Sequence, residues 1–193
     1  EYYQRAERIL RGHFLPSQLL DVRFVPDTKH PDDNSKHRLA SRSRGAFGFA
    51  CPYGHEYEEG SWISFNWDIV GGAVGGLCEA YRDKVAFRDG LVSVNMLFDH
   101  EDERIVVNDP YKERAGGALR IRTKAEGPIR IRLSDWVREN ELKVAFSKGH
   151  ADTHVSDGWL HIPHAEAGCV IDVSFAMPIV REVYPFRGDT FVY

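Results

Sequence analysis

From Leu91 onward the apolar residues recur at every second position, and this change of period confines more than half of the chain to β structure. Val92, Val94, Met96 and Phe98 alternate along a first predicted strand, and Arg104 to Val107 form a second. Residues 118–123 (ALRIRT) and 128–134 (PIRIRLS) are near-twins, with Ile and Leu turned inward and Arg outward, and Gly127-Pro128 reads as the hairpin turn between them. Leu142, Val144 and Phe146 predict another strand, and Gly158 to Ile162 a short one. Cys169, Ile171, Val173 and Phe175 then alternate against Val170, Asp172, Ser174 and Ala176, and Ile179–Tyr184 and Thr190–Tyr193 complete the set. About nine short strands, each with one apolar face and separated by turns, predict an antiparallel β-sandwich. The Arg-Ile-Arg repeats place a basic stripe on one sheet face, read as a solvated surface that also discourages edge pairing.

The residues ahead of Leu91 follow a different rule. Tyr2, Tyr3, Ala6, Ile9 and Leu10 share one face of a predicted helix that Gly12 ends, and the chain opens within that helical pattern. Such an opening is expected of a segment continuing something longer. Ser17 to Val25 is a short helix or strand, and residues 26–45 form a long polar loop. Ala73, Leu77, Ala80, Tyr81 and Val85 recur at helical spacing, predicting an amphipathic helix over about Val70–Val85. Asp68 stands just ahead of it, where a carboxylate caps free backbone N–H groups and suits the helix dipole. Gly71, Gly72, Gly75 and Gly76 each cost about 1 kcal/mol against Ala inside a helix. Two glycine pairs at that cost point to close approach of another helix or of a ligand.

Between loop and helix, Tyr53, Tyr57, Trp62, Phe65 and Trp67 are interleaved with His55, Glu56, Glu58, Glu59 and Asp68. Sugar C–H faces stack on aromatic rings, and glycosidic cleavage needs one carboxylic acid and one base or nucleophile. The candidate carboxyls are Asp68 with Glu56, Glu58 or Glu59, and the candidate stacking platforms are Tyr53, Trp62 and Trp67. The bland alternative is a loop packed by its aromatics with its acids solvated, and Asp68 as no more than a cap.

Composition removes other classes. Hydrophobic residues are 42% and charged residues 28%, an ordinary globular balance, and the net charge of -4 gives no electrostatic case for nucleic acid or an anionic membrane surface. No apolar run approaches the roughly 20 residues of a membrane span. Cys51, Cys78 and Cys169 are too widely spaced to read as a disulfide or metal framework. Cys78 and Cys169 lie in apolar patterns and are expected to be buried thiols. Histidine pairs (His161 with His164, His150 with His154) match metal spacing poorly, because strand alternation and Pro163 separate their side chains. No metal site is expected within the chain.

The order of these features resembles a known family. The helix YYQRAERILRGH, a variable loop, a glycine-bearing helix and then residues 89–98 (DGLVSVNMLF) are similar to the end of the catalytic domain in glycoside hydrolase family 127, the β-L-arabinofuranosidase-like proteins. Residues 129–136, 157–162 and 168–178 are similar to that family's C-terminal β-sandwich. The resemblance implies a mixed, mostly β chain, with residues 1–90 as the last helices of an incomplete (α/α)6 toroid and 91–193 as a β-sandwich domain. It also implies a carbohydrate substrate and a partner for the exposed helices, either an upstream helical segment or a second chain. In the family a Cys-Cys pair before the glycine-bearing helix supplies zinc ligands and the nucleophile. The matching positions here are Asp68 and Ile69, so zinc would need ligands from outside this chain, and Asp68 would act as nucleophile or base. Two functions follow: the C-terminal part of a glycoside hydrolase acting on polysaccharide side chains, inactive without the rest of the toroid, or a non-catalytic β-sandwich module that binds carbohydrate or stabilises a catalytic partner.

Overall fold

A computed structural model describes residues 2–23, 38, 40–41, 44–47, 67–111, 117–149, 152–177, 183–186 and 189–192; the side chains of 67–70, 117, 183–186 and 189–192 fall outside that description. The chain divides into two compact units, Glu1–Asp83 and Lys84–Tyr193.

In the first unit, α1 spans Tyr2–Ile9 and runs on without a break into a wider π turn, Leu10–Phe14. Gly12 therefore lies inside the helical run and does not end it. The buried stripe is also rotated from the predicted one. Tyr3, Glu7, Leu10 and Phe14 face inward, while Tyr2 and Ile9 are exposed. Glu7 sits on the inner face because the Arg11 Nε donates to its carboxylate at 2.8 Å, a paired arrangement at i,i+4 spacing. Phe14 stacks on Phe47 at 5.0 Å, and Gln18 pairs with Phe47 in an isolated antiparallel bridge. α2 spans Trp67–Asp83, starting earlier and ending earlier than the periodicity predicts.

The predicted helix ends early because Val85–Arg88 is a strand, β1, tied to β2 (Leu91–Val94) in a tight hairpin. Its two-residue loop, Asp89-Gly90, has φ of +51° and +79°. Positive φ at both central positions is what the twist of a hairpin selects, and Asp-Gly is among the sequences that reach it most cheaply. The same dipeptide, Asp157-Gly158, joins β8 (His154–Ser156) to β9 (Trp159–Ala165) with φ of +52° and +78°.

The remaining strands are β3 (His100–Glu101), β4 (Ile105–Asn108), β5 (Gly117–Thr123), β6 (Gly127–Arg132), β7 (Lys143–Phe146), β10 (Val170–Phe175), β11 (Val183–Phe186) and β12 (Asp189–Val192). They form two five-stranded sheets, ordered β1-β2-β6-β9-β8 and β3-β4-β5-β10-β7, with β11-β12 as a separate hairpin. Pairing is antiparallel except between β2 and β6, which run parallel. The chain leaves the first sheet after β2, builds β3, β4 and β5 in the second, and returns at β6. A crossover of that kind is what a parallel neighbour requires.

The near-twin segments are therefore not a hairpin. β5 and β6 belong to different sheets, and residues 124–126 carry the chain between them. Gly127-Pro128 opens β6 at a register shift against β9, where a proline without an N–H does not break the ladder. Each Ile pair still points inward. Val94, Ile129, Ile131, Leu160 and Ile162 from the first sheet join Ile105, Val107, Leu119, Ile121, Ile171 and Val173 from the second in one buried cluster. This shared core is compatible with the expected sandwich; a toroid is not formed by the described residues. Thr123 closes one corner: its hydroxyl donates to the Glu166 carbonyl at 2.5 Å and accepts from the Cys169 N–H at 2.9 Å.

Ile171 is fully buried and opposes Ile121 in register, so Ile171→Ala should cost about 2–4 kcal/mol in urea unfolding of the chain. Arg122→Ala, on the outer side of the same sheet, should stay within about 0.5 kcal/mol.

Candidate functional site

Of the residues predicted to handle carbohydrate, Tyr53, Glu56, Glu58, Glu59 and Trp62 lie outside the described residues, as does Cys51. Trp67 and Asp68 are described as backbone only. The helix begins at Trp67, so Asp68 falls within its first turn and not ahead of it as a cap residue. A carboxylate in a first turn still meets the free N–H groups and the positive end of the dipole.

Beyond that turn, α2 has an inner stripe of Ala73, Leu77 and Ala80, of which Ala73 is fully buried. Val74 and Tyr81, a further two turns of the same helix, are 50% and 68% exposed. A Cβ added at Gly71, Gly72, Gly75 or Gly76 would meet no heavy atom within 4 Å among the described residues. The close helix contact that the glycine pairs suggest is thus not made by those residues. Cys78 is exposed, contrary to the expected buried thiol, because it falls outside the inner stripe; Cys169, on the core side of the β unit, is buried.

The second assembly of polar side chains is one that the sequence pattern left as solvated surface. In the first sheet, strand register aligns Ala86, Ser93, Arg130, His161 and His154 across all five strands on the face away from the core. The Arg130 Nε donates to the Ser93 hydroxyl at 2.8 Å, and its guanidinium lies 4.5 Å from the centre of the Trp159 ring. These contacts fix the guanidinium plane. His161 and His154 stack face to face, with centroids 4.8 Å apart and planes 7° from parallel. The neighbouring row holds Arg132, buried, with its Nε donating to the Asn95 carbonyl at 2.6 Å. Beside it Lys84 is also buried and donates to the Asp99 carbonyl at 2.6 Å; burial lowers its pKa, partly offset by the Asp99 charge.

The outer faces of the two sheets differ in charge. No strand of the first sheet contains an Asp or Glu; the acids Asp89 and Asp157 sit in its hairpin turns. On and beside the second sheet two cations are matched. Arg120 meets Asp172 through two hydrogen bonds of 2.7 and 3.1 Å, and Lys124 meets Glu101 at 2.8 Å. The hydrogen bonds that Arg120 donates to Asp172 raise the Arg120 pKa, and the one that Lys124 donates to Glu101 lowers the Glu101 pKa. The sequence twins thus have unlike surroundings: Arg120 is paired with Asp172, whereas Arg130 lies on a sheet whose strands carry no acid.

Among the described residues no group of three or more His, Cys, Asp or Glu could hold a metal ion. At the start of α2 the donor set is Asp-Ile and not a cysteine pair, which does not fit zinc-thiolate chemistry. No described helix is long and apolar enough to cross a membrane.

No protein-family model matches the chain, and no curated protein does. Among solved structures, a GH127 β-L-arabinofuranosidase from Geobacillus stearothermophilus T6 is similar over 63% of this chain and 21% of that one, with 16% identity and a TM-score of 0.43. Another GH127 β-arabinofuranosidase is similar over 51% of this chain and 19% of that one, with 17% identity and a TM-score of 0.39. Both belong to the family that the sequence resembles, and the chain spans about a fifth of the length of each.

The open positions on α2 have a direct consequence for stability. Gly75→Ala in the isolated chain should stabilise α2 by up to about 1 kcal/mol, read by thermal unfolding, since nothing described contacts the new methyl. A loss of stability of similar size would mean that another element packs on the glycines.

Proposed function

We propose that this chain is the C-terminal part of a glycoside hydrolase acting on polysaccharide side chains, β-L-arabinofuranosidase-like and inactive without the rest of its toroid. The observation that carries the reading is the start of α2. Asp68 lies in the first turn, followed by four glycines with open space at their Cβ positions, in the order the family resemblance implies. Backbone N–H groups at a helix start favour an anion, and glycines let a ligand approach the backbone. Asp68 is then the nucleophile or base, with Glu56, Glu58 or Glu59 as the second carboxyl and Tyr53, Trp62 and Trp67 as stacking platforms. A separation of roughly 5 Å between the carboxyls makes the reaction retaining, and one of roughly 6.5–9.5 Å makes it inverting. An upstream helical segment or a second chain completes the cleft and covers the exposed apolar side chains of α1 and α2, such as Ile9, Val74 and Tyr81.

The second reading, a β-sandwich module that binds carbohydrate without cleaving it, is favoured by a separate observation. The Lys84–Tyr193 unit has its own closed core and one acid-free outer sheet face bearing Arg130, Trp159 and two stacked histidines.

Asp68→Asn separates the hydrolase role from a structural one. Asparagine suits a helix start nearly as well as aspartate but is a poor nucleophile or base. In the intact assembly the substitution should leave thermal stability nearly unchanged and abolish turnover of arabinofuranoside substrates. Unchanged turnover would reduce Asp68 to a helix-start carboxylate.

A further inference from the structure

β8 is the outermost strand of the first sheet, three residues long and paired on one side, to β9. Its first residue, His154, stands directly opposite His161, and the two imidazoles stack with centroids 4.8 Å apart and planes 7° from parallel. On the far side of His161 the next residue in register is Arg130, whose charge is permanent. Ser93 and the Trp159 ring hold its guanidinium on this face. One row across three neighbouring strands therefore reads Arg130, His161, His154. Paired strands lie about 4.8 Å apart, so each member of the row has the next as its cross-strand neighbour.

Neutral imidazoles stack without charge repulsion. Imidazole is the side chain that ordinarily changes charge between about pH 5 and 8. Protonating both rings sets three cations side by side, and like charges directly opposite one another on paired strands are destabilising. No acid in the sheet offsets them. Ala86 and Ser93 complete the row on β1 and β2, and none of the five strands contains Asp or Glu. The adjoining row, Ser156, Trp159 and Arg132, adds a further cation. The acids flanking β8, Asp152 and Asp157, are exposed, and neither histidine forms an ion pair among the described residues. His164 lies beyond, where the register of β9 against β6 shifts. Val155 and Leu160, which alternate with the two histidines, turn to the core and carry no charge.

We propose that β8 is an acid-released edge strand: protonation of His154 and His161 beside Arg130 weakens its pairing with β9 and frees the outer edge of the sheet. The repulsion is relieved at β8 because a three-residue edge strand has few ladder bonds to lose, whereas β9 is held by β6 as well. The pairing is at full strength where both rings are neutral and weakens as the pH falls, the sign expected where unfolding lets crowded groups take up protons. Opening β8 bares N–H and C=O groups of β9 to another strand, so the proton controls a pairing edge. The device is independent of Asp68 and of any carbohydrate ligand.

The test is hydrogen exchange of the full chain at about pH 7.5 and about pH 5, each corrected for intrinsic exchange. The protection of the amides that pair β8 with β9, taken relative to that of the β10 amides, should fall roughly two- to fivefold from the higher pH to the lower. High salt should restore most of it, because repulsion between partly exposed charges is screened. His154→Gln and His161→Gln, which remove the titrating ring and keep a polar side chain, should each abolish the pH dependence, and Arg130→Gln should reduce it. The proposal is overturned if the wild-type ratio is the same at both pH values, as it would be if acid loosened the whole unit equally. It is equally overturned if the fall persists in both glutamine variants of the histidines, or if salt leaves it undiminished.

Discussion

The structure of the β unit depends on one contact surface, the apolar rows of two five-stranded sheets meeting in a common core. Ile129 and Ile131 from β6 and Leu119 and Ile121 from β5 belong to the same buried cluster although their strands belong to different sheets. Since side chains alternate along a strand, committing those positions to the core commits Arg130, Arg132, Arg120 and Arg122 to the outer faces. The polar row across the first sheet is thus a by-product of the core's register. It exists because Ser93, Arg130 and His161 are each one step out of phase with a buried Val, Ile or Leu, and His154 with the partly buried Val155.

The two outer faces diverge because each sheet assembles different neighbours around the same local sequence. β5 lies beside β10, which places Asp172 opposite Arg120. β6 lies between β2 and β9, which places Ser93 and His161 beside Arg130 and Trp159 on the diagonal. An arginine paired in solvent contributes little to stability, and the Arg120–Asp172 pair is read best as surface chemistry. On the first sheet Arg130 is oriented instead by a neutral hydroxyl and an indole ring.

Much of this was legible from spacing alone. The change of period near Leu91, the inward set Ile171, Val173 and Phe175, and the glycine-bearing helix follow from apolar repeats. What spacing could not supply was pairing. Residues 118–134 read as a hairpin because a Gly-Pro between similar strands is a turn signal, whereas strand order, set by distant contacts, sends β5 and β6 to different sheets. The polar row was invisible for the same reason: its members lie on four strands, far apart in sequence. Two turn signals in the sequence add to the apolar repeats. Asp89-Gly90 and Asp157-Gly158 are hairpin dipeptides, and the first joins β1 to β2, which makes Val85–Arg88 a strand and not a continuation of α2. Glu7 on the inner face of α1 shows the converse limit, since a buried carboxylate that accepts from Arg11 one turn away interrupts the apolar stripe. The carboxyl and aromatic candidates at 53–62 lie outside the described residues, so the site at the start of α2 rests on Asp68's position in the helix and on the open glycines.

The central claim is that the two sheets are one cooperative body with a complete core of its own, whereas α2 lacks a cover for its outer side. Native-state hydrogen exchange on the isolated chain tests it most directly. Amides of β5, β6, β9 and β10 should share one high opening free energy, equal to that of global unfolding of the unit. Amides of α2 should exchange with a distinctly lower one, because Ala73 is its one fully buried side chain among those described while Val74 and Tyr81 stand exposed. Protection in α2 equal to that of β10, or separate opening free energies for the two sheets, would contradict the account.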